Sequence, residues 1–162
     1  MPSFDVVSRI NLPEVDNALQ GTMREISTRY DFKGSSCSIE RADEILTIRA
    51  DDELKLKQVQ ELLRGYLAKR KVDHRALDYE EPEKASGNTI RQIIVIQQGI
   101  ARDLAQRIVK ELKAAKMKKV QIAIQGDELR ISGKKRDDLQ AAISLIKDMK
   151  LDQPLQYVNF RD

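Results

Sequence analysis

Three apolar residues, Ile48, Leu56 and Leu63, recur 83 positions later as Ile131, Leu139 and Ile146, and the surrounding pattern recurs with them. Around the second set, residues 120–139 read VQIAIQGDELRISGKKRDDL. Val120, Ile122 and Ile124 alternate with Gln121, Ala123 and Gln125, the period-two signature of a half-buried strand. Gly126 and Asp127 interrupt it as a tight turn does. Leu129 and Ile131 then resume the alternation, with Glu128, Arg130 and Ser132 on the opposite face, and Gly133 closes the strand. Leu139, Ala142, Ile143 and Ile146 follow at helical spacing.

Taken in order, residues 4–10 predict a strand. Asn11 caps a helix, with Pro13 in its first turn and Val15, Ala18, Leu19, Thr22, Met23 and Ile26 as its inner stripe. Residues 37–39 and 46–48 predict two strands. A helix opened by Asp51, Asp52 and Glu53 and lined by Leu56, Val59, Leu62, Leu63, Tyr66 and Leu67 follows, then a strand at 77–79. The polar stretch 80–88, EEPEKASGN, reads as a linker. The order then restarts with a strand at 89–97, a helix at 101–116, the hairpin, a helix at 135–150 and an extended segment at 155–160. Strand–helix–strand–strand–helix–strand therefore occurs twice. This predicts an α+β chain of two tandem ferredoxin-like (βαββαβ) repeats, each an antiparallel sheet with helices on one face, over residues 1–84 and 85–162.

Composition removes several chemistries. His74 is the only histidine and Cys37 the only cysteine, so one chain can build neither a Cys/His zinc site nor an internal disulfide. His74 reads as a surface residue and Cys37 as a small core residue. The sequence holds no phosphate-binding P-loop, no GxGxxG and no apolar run of the ~20 residues needed to cross a bilayer. A single thiol and an N-terminus without a secretory pattern suit the cytoplasm. No catalytic set, metal site or cofactor is expected. Asp137 and Asp138 are poor candidates for shared magnesium ligation, because adjacent helical residues do not share a face. They complement the helix dipole instead.

Charge divides unevenly. Residues 1–84 carry 14 basic and 17 acidic residues, net −3, whereas residues 85–162 carry 15 and 9, net +6. This split points to an anionic partner for the second half, with a merely solvated basic helix as the alternative. The acidic opening Asp51-Asp52-Glu53 of one repeat is answered by Lys134-Lys135-Arg136 in the other. Cations disfavour a helix N-terminus, and an anion bound there would turn repulsion into attraction. Compensation by Asp137 and Asp138, with solvated lysines, is the alternative. Lys134, Lys135 and Arg136 are therefore candidates for phosphate, and Gln125 and Arg130 for base or ribose. Arg29, Lys33 and Arg161 are secondary basic contacts, and Tyr30, Phe32 and Phe160 stacking candidates. No aromatic faces outward on the hairpin, which argues against an ordinary RRM.

PSFDVVSRI at the start, REISTRYDFKG at 24–34, QGDELRISGKKRDDLQ at 125–140 and QPLQYVNFRD at 153–162 resemble the YajQ family of bacterial proteins. The resemblance runs nearly end to end and implies a two-domain nucleotide-binding protein of ferredoxin-like repeats, with N-terminal strands exchanged between the two. It implies a nucleotide as partner, cyclic di-GMP in some members, acting through a macromolecular partner, or alternatively tRNA. It supplies no catalytic residues, and the expectation is a non-enzymatic protein.

Overall fold

The computed structural model describes residues 1–162. The strands are β1 (Ser3–Val7), β2 (Ser38–Ala42), β3 (Ile45–Ala50), β4 (Leu77–Tyr79), β5 (Glu83–Lys84), β6 (Ile90–Ile96), β7 (Val120–Gln125), β8 (Glu128–Gly133) and β9 (Gln156–Arg161). The helices are α1 (Leu12–Thr28), α2 (Glu53–Lys69), α3 (Arg102–Ala114) and α4 (Arg136–Asp148). None is long and apolar enough to cross a membrane.

Two compact units result: Met1–Arg9 with Gln98–Asp162, and Ile10–Gln97. The first carries 15 basic and 10 acidic residues, net +5; the second carries 14 and 16, net −2. They are called the basic and the acidic unit below.

The sheet of the basic unit has the order β7-β8-β1-β9, and that of the acidic unit β2-β3-β6-β4, with β5 also on β6. All pairings are antiparallel. Both orders are the ferredoxin-like arrangement of two βαβ halves. The first strand of each repeat, however, lies in the other repeat's sheet. β1 pairs β8 and β9, and β6 pairs β3 and β4. The chain segment 80–88 explains how. It connects β4 to β6 as an irregular hairpin, with the Glu80 N–H on the Ile93 carbonyl at 2.9 Å and the Ala85 N–H on the Thr89 carbonyl at 2.8 Å. Local antiparallel pairing closes a short loop, which costs little chain entropy. The linker expected there is thus an internal connection of the acidic unit, and the boundary expected between residues 84 and 85 falls inside that unit.

The recurring apolar residues hold the same places in both units. Ile48 and Ile131 are fully buried on the helix-facing side of their sheets; Leu56 and Leu139, then Leu63 and Ile146, anchor α2 and α4 against them. The hairpin turns correspond as well. Each needs a left-handed residue at its first position, supplied by Gly126 at φ 61° in one and Asp43 at φ 54° in the other. Gly21 packs α1 onto α2: a Cβ there would lie 2.5 Å from Cδ1 of Tyr66.

Candidate functional site

The hairpin register builds a basic concavity that residue spacing alone does not display. Val120 pairs with Gly133. Lys118 and Lys119, which precede β7, are therefore carried beside Lys134 and Lys135, which follow β8. The four lysines, with Met1, Gln121 and Asp138, line a cavity of about 410 Å³. None of the four forms an ion pair within the chain. Lys135 is the N-cap residue of α4 and offers no side-chain acceptor, so the first N–H groups of the helix are left uncapped by it.

The acidic unit resolves the same location differently. Asp51, the counterpart of Lys134, accepts from the hydroxyls of Ser35 at 2.5 Å and Ser36 at 2.7 Å, the counterparts of Lys118 and Lys119. Those serine hydrogen bonds hold the Asp51 carboxyl below its ordinary range, against an opposing effect of burial. Asp52, the counterpart of Lys135, accepts from the Lys55 N–H at 2.8 Å and caps α2. A carboxylate of the chain's own thus joins the two segments in one unit. In the other, both segments are cationic.

The sequence-derived candidates divide. Lys134 and Lys135 line the cavity. Arg136 does not: it is 72 % exposed and pairs with Asp162. Gln125 is exposed at the far end of β7, five residues from Val120 and so about 17 Å along the strand. Arg130 lies on the sheet face away from the helices, where its Nε donates to Asp5 at 3.1 Å. Arg161 donates to the other Asp5 oxygen at 2.9 Å, and Asn159 to that oxygen at 2.8 Å. The Arg161 hydrogen bond, with those of Asn159 and Arg130, outweighs burial and holds the Asp5 carboxyl well below the usual carboxylate range. Two guanidiniums on one carboxylate make this a tied network of the sheet.

The aromatic candidates divide too. Phe160 is exposed and stacks on Phe4 with centroids 5.4 Å apart. In the acidic unit Tyr30 is exposed, whereas Phe32 is buried in the core, with the Lys55 ammonium 4.8 Å and the Arg29 guanidinium 5.8 Å from its ring centroid. Its ring has no free face for a base. Arg29 is held by Asp31 at 2.8 Å and Glu25 at 3.3 Å, and Lys33 is exposed. Lys118 and Lys119 escaped the sequence reading. The signal was the KMKK run before β7, which meets KK after β8 once the hairpin is paired in register.

A family model described as nucleotide-binding protein YajQ-like matches residues 2–161. A protein of Parvibaculum lavamentivorans and one of Paramagnetospirillum magneticum, each named a nucleotide-binding protein, are both 61 % identical over the full length of both chains. One from Pelagibacter ubique, named in the same way, is 54 % identical over the same full span.

Proposed function

Because the chain belongs to the family of YajQ-like nucleotide-binding proteins, we propose that it binds a nucleotide without turning it over, and that the lysine-lined cavity of the basic unit receives the phosphates. One observation carries this location. The carboxylate of Asp51 joins two segments of the acidic unit, and their counterparts in the basic unit present Lys118, Lys119 and Lys134. Asp138 also lines the cavity but forms no ion pair with them, so an anion from outside the chain can join the two segments, and charge-assisted hydrogen bonds to phosphate oxygens are the strong kind. The uncapped N-terminus of α4 adds N–H donors and the positive end of its dipole. The cavity, about 410 Å³, lies within the ~300–1,000 Å³ usual for small-molecule sites. Gln121 supplies an amide for a base or ribose edge.

The lysines come as two pairs from two segments, which supports a ligand with two separated phosphodiesters. Cyclic di-GMP is accordingly the first ligand to test, with a macromolecular partner responding to the bound form. A cytoplasmic setting fits such a ligand. A second reading has its own support: Lys110 and Lys113 on α3, and Lys116 in the turn after it, are exposed and lead along the chain toward Lys118, cations that an RNA backbone, tRNA included, could contact.

Calorimetry with cyclic di-GMP, GTP, ATP and bulk tRNA at two salt concentrations separates the readings. One-site binding of a small nucleotide is expected, weakened at least about tenfold by K118A/K119A and by K134A/K135A. Unchanged affinity in both double variants would remove the site from this cavity. Binding of tRNA alone, collapsing with salt, would replace the small ligand by RNA. Nucleotide turnover with magnesium present would overturn the non-enzymatic assignment.

A further inference from the structure

The two sheets have four edges, and three are guarded. β4 is three residues long, and the two-residue β5 that shares its side of β6 is Glu83-Lys84. β9 carries a register irregularity opposite β1, a left-handed Asn159 and a charged Arg161. β2 carries Glu40 and Arg41, and Arg41 reaches back to Asp16 on α1 at 2.6 Å. Its outward N–H at Ile39 is taken by the Met23 sulfur at 3.3 Å. Charges, short strands and bulges are the standard protections against unwanted strand pairing.

β7 has none of these. Its six residues, VQIAIQ, include no charge, proline or glycine. The Gly133 N–H donates to the Pro2 carbonyl at 3.1 Å, so Gly133 turns its backbone toward β1. By antiparallel alternation, Val120, Ile122 and Ile124 turn their N–H and C=O groups outward from the sheet. Ile122 is the counterpart of Ile39 and Ile124 that of Arg41. Where the acidic unit places a sulfur acceptor and a tethered guanidinium, the basic unit leaves a bare edge and an isoleucine 46 % exposed. Beside Ile124 runs a groove of about 320 Å³ with Val109 and Ile124 as its apolar floor and Gln106, Lys110 and Lys113 on its rim.

We propose that the β7 edge is a strand-addition site for an extended acidic segment of a partner protein. The segment's backbone pairs with Ile122 and Ile124, its apolar side chains lie on Val109 and Ile124, and its carboxylates face Lys110 and Lys113. Main-chain pairing gives affinity and alternate side chains give specificity in this mode of recognition. The charge of the rim selects against a second copy of this chain, since two-fold pairing of β7 with β7 brings like lysines together. This site shares no residue with the lysine cavity and does not depend on the ligand proposed for it.

The probe is an acetylated, amidated hexapeptide alternating glutamate and valine, with lysine–valine as its control. Saturable binding to the full chain is expected, with slowed amide exchange at Ile122 and Ile124, and affinity for the control at least about tenfold lower. Ile124→Pro, which removes one outward N–H of an edge strand, is expected to lower glutamate-peptide affinity at least about tenfold. Exchange in the unmodified protein reports on the edge whether or not that variant folds. Equal binding of both peptides, or no slowing at Ile122 and Ile124, overturns the proposal. Protection of those amides that rises with protein concentration alone, with a dimer in sedimentation, overturns it in favour of a second copy.

Discussion

Asp52 and Lys135 stand at the same N-cap position of corresponding helices, and only Asp52 caps. Its Oδ1 accepts from the Lys55 N–H at 2.8 Å, whereas the Lys135 side chain caps no N–H. The difference sets stability against binding, since a cap residue that satisfies the helix also supplies the negative charge an incoming phosphate would otherwise bring.

Lys135→Asp tests this directly. The new carboxylate can reach an N–H of the first turn, and caps of this kind are worth about 1 kcal/mol. Unfolding in urea is expected to show a more stable protein, while nucleotide affinity falls at least about tenfold. Asp52→Ala moves the other way, losing about 1 kcal/mol with no change in affinity. A K135D protein that binds as before would detach the ligand from the start of α4.

The network around Asp5 predicts an acid-sensitive contribution to stability. Asp5 is 4 % exposed and receives Arg130, Arg161 and Asn159. Its carboxyl is depressed in the folded protein, so its contribution is complete above its unfolded value, near pH 4, and is lost as pH falls through the lower folded value. Asp5→Asn is expected to cost about 2 kcal/mol at neutral pH. Both guanidiniums are 41 % exposed and recover water, which keeps the loss below that of a fully buried pair. Urea midpoints of wild type and variant should converge as pH drops from about 4 toward 2. A gap that stays constant over that interval would contradict the assignment.

Gly21 gives a packing test. Alanine is the better helix former by about 1 kcal/mol, so propensity alone favours Gly21→Ala. A Cβ at this position meets the Tyr66 ring at 2.5 and 2.7 Å, and that ring is fixed by its hydroxyl on Glu25 at 2.8 Å and by the Lys69 ammonium 5.0 Å from its centroid. Overpacking of this kind costs about 1–3 kcal/mol. A net loss of stability is expected on thermal unfolding, with Gly21→Ala/Tyr66→Leu recovering most of it. A stabilised single variant would show that the ring moves aside freely.

Gly21 also marks where the sequence stops speaking. The stripe Val15, Ala18, Leu19, Thr22, Ile26 is legible because burial follows the helical period, and five of its six predicted members are buried, with Met23 packed at the margin. A glycine in that stripe carries no period of its own; only the ring across α2 explains it. The repeat was legible for the same reason, since Ile48 and Ile131 must point into a core. Periodicity did not assign the partners of β1 and β6; exchange of the N-terminal strands entered only as what the resemblance implies, and the local closure of 80–88 places β6 beside β4. The site fared likewise. Charge reversal at 51–53 and 134–136 was visible in the residues, yet Lys118 and Lys119 join it only through the register of Val120 with Gly133, and Arg130 is withdrawn from it by Asp5, a residue 125 positions away.

Arg136 and Lys134 then offer the sharpest separation of charge from contact. Both belong to the basic run that opens α4, but Lys134 lines the cavity and Arg136 pairs outside it with Asp162. That pair is 72 % and 83 % exposed, so its loss should leave stability nearly unchanged. A bystander cation acts on a bound phosphate only through the screened field, which decays over about 10 Å at 0.1 M salt and about 3 Å at 1 M. Arg136→Ala is therefore expected to weaken nucleotide binding modestly in low salt and by less than about twofold near 1 M. Lys134→Ala removes a direct partner and should retain most of its deficit across the same range. Titrations of both variants at matched salt read the difference. Parallel salt dependence for the two would mean that the ligand senses the net charge of the helix start rather than the lysines of the cavity.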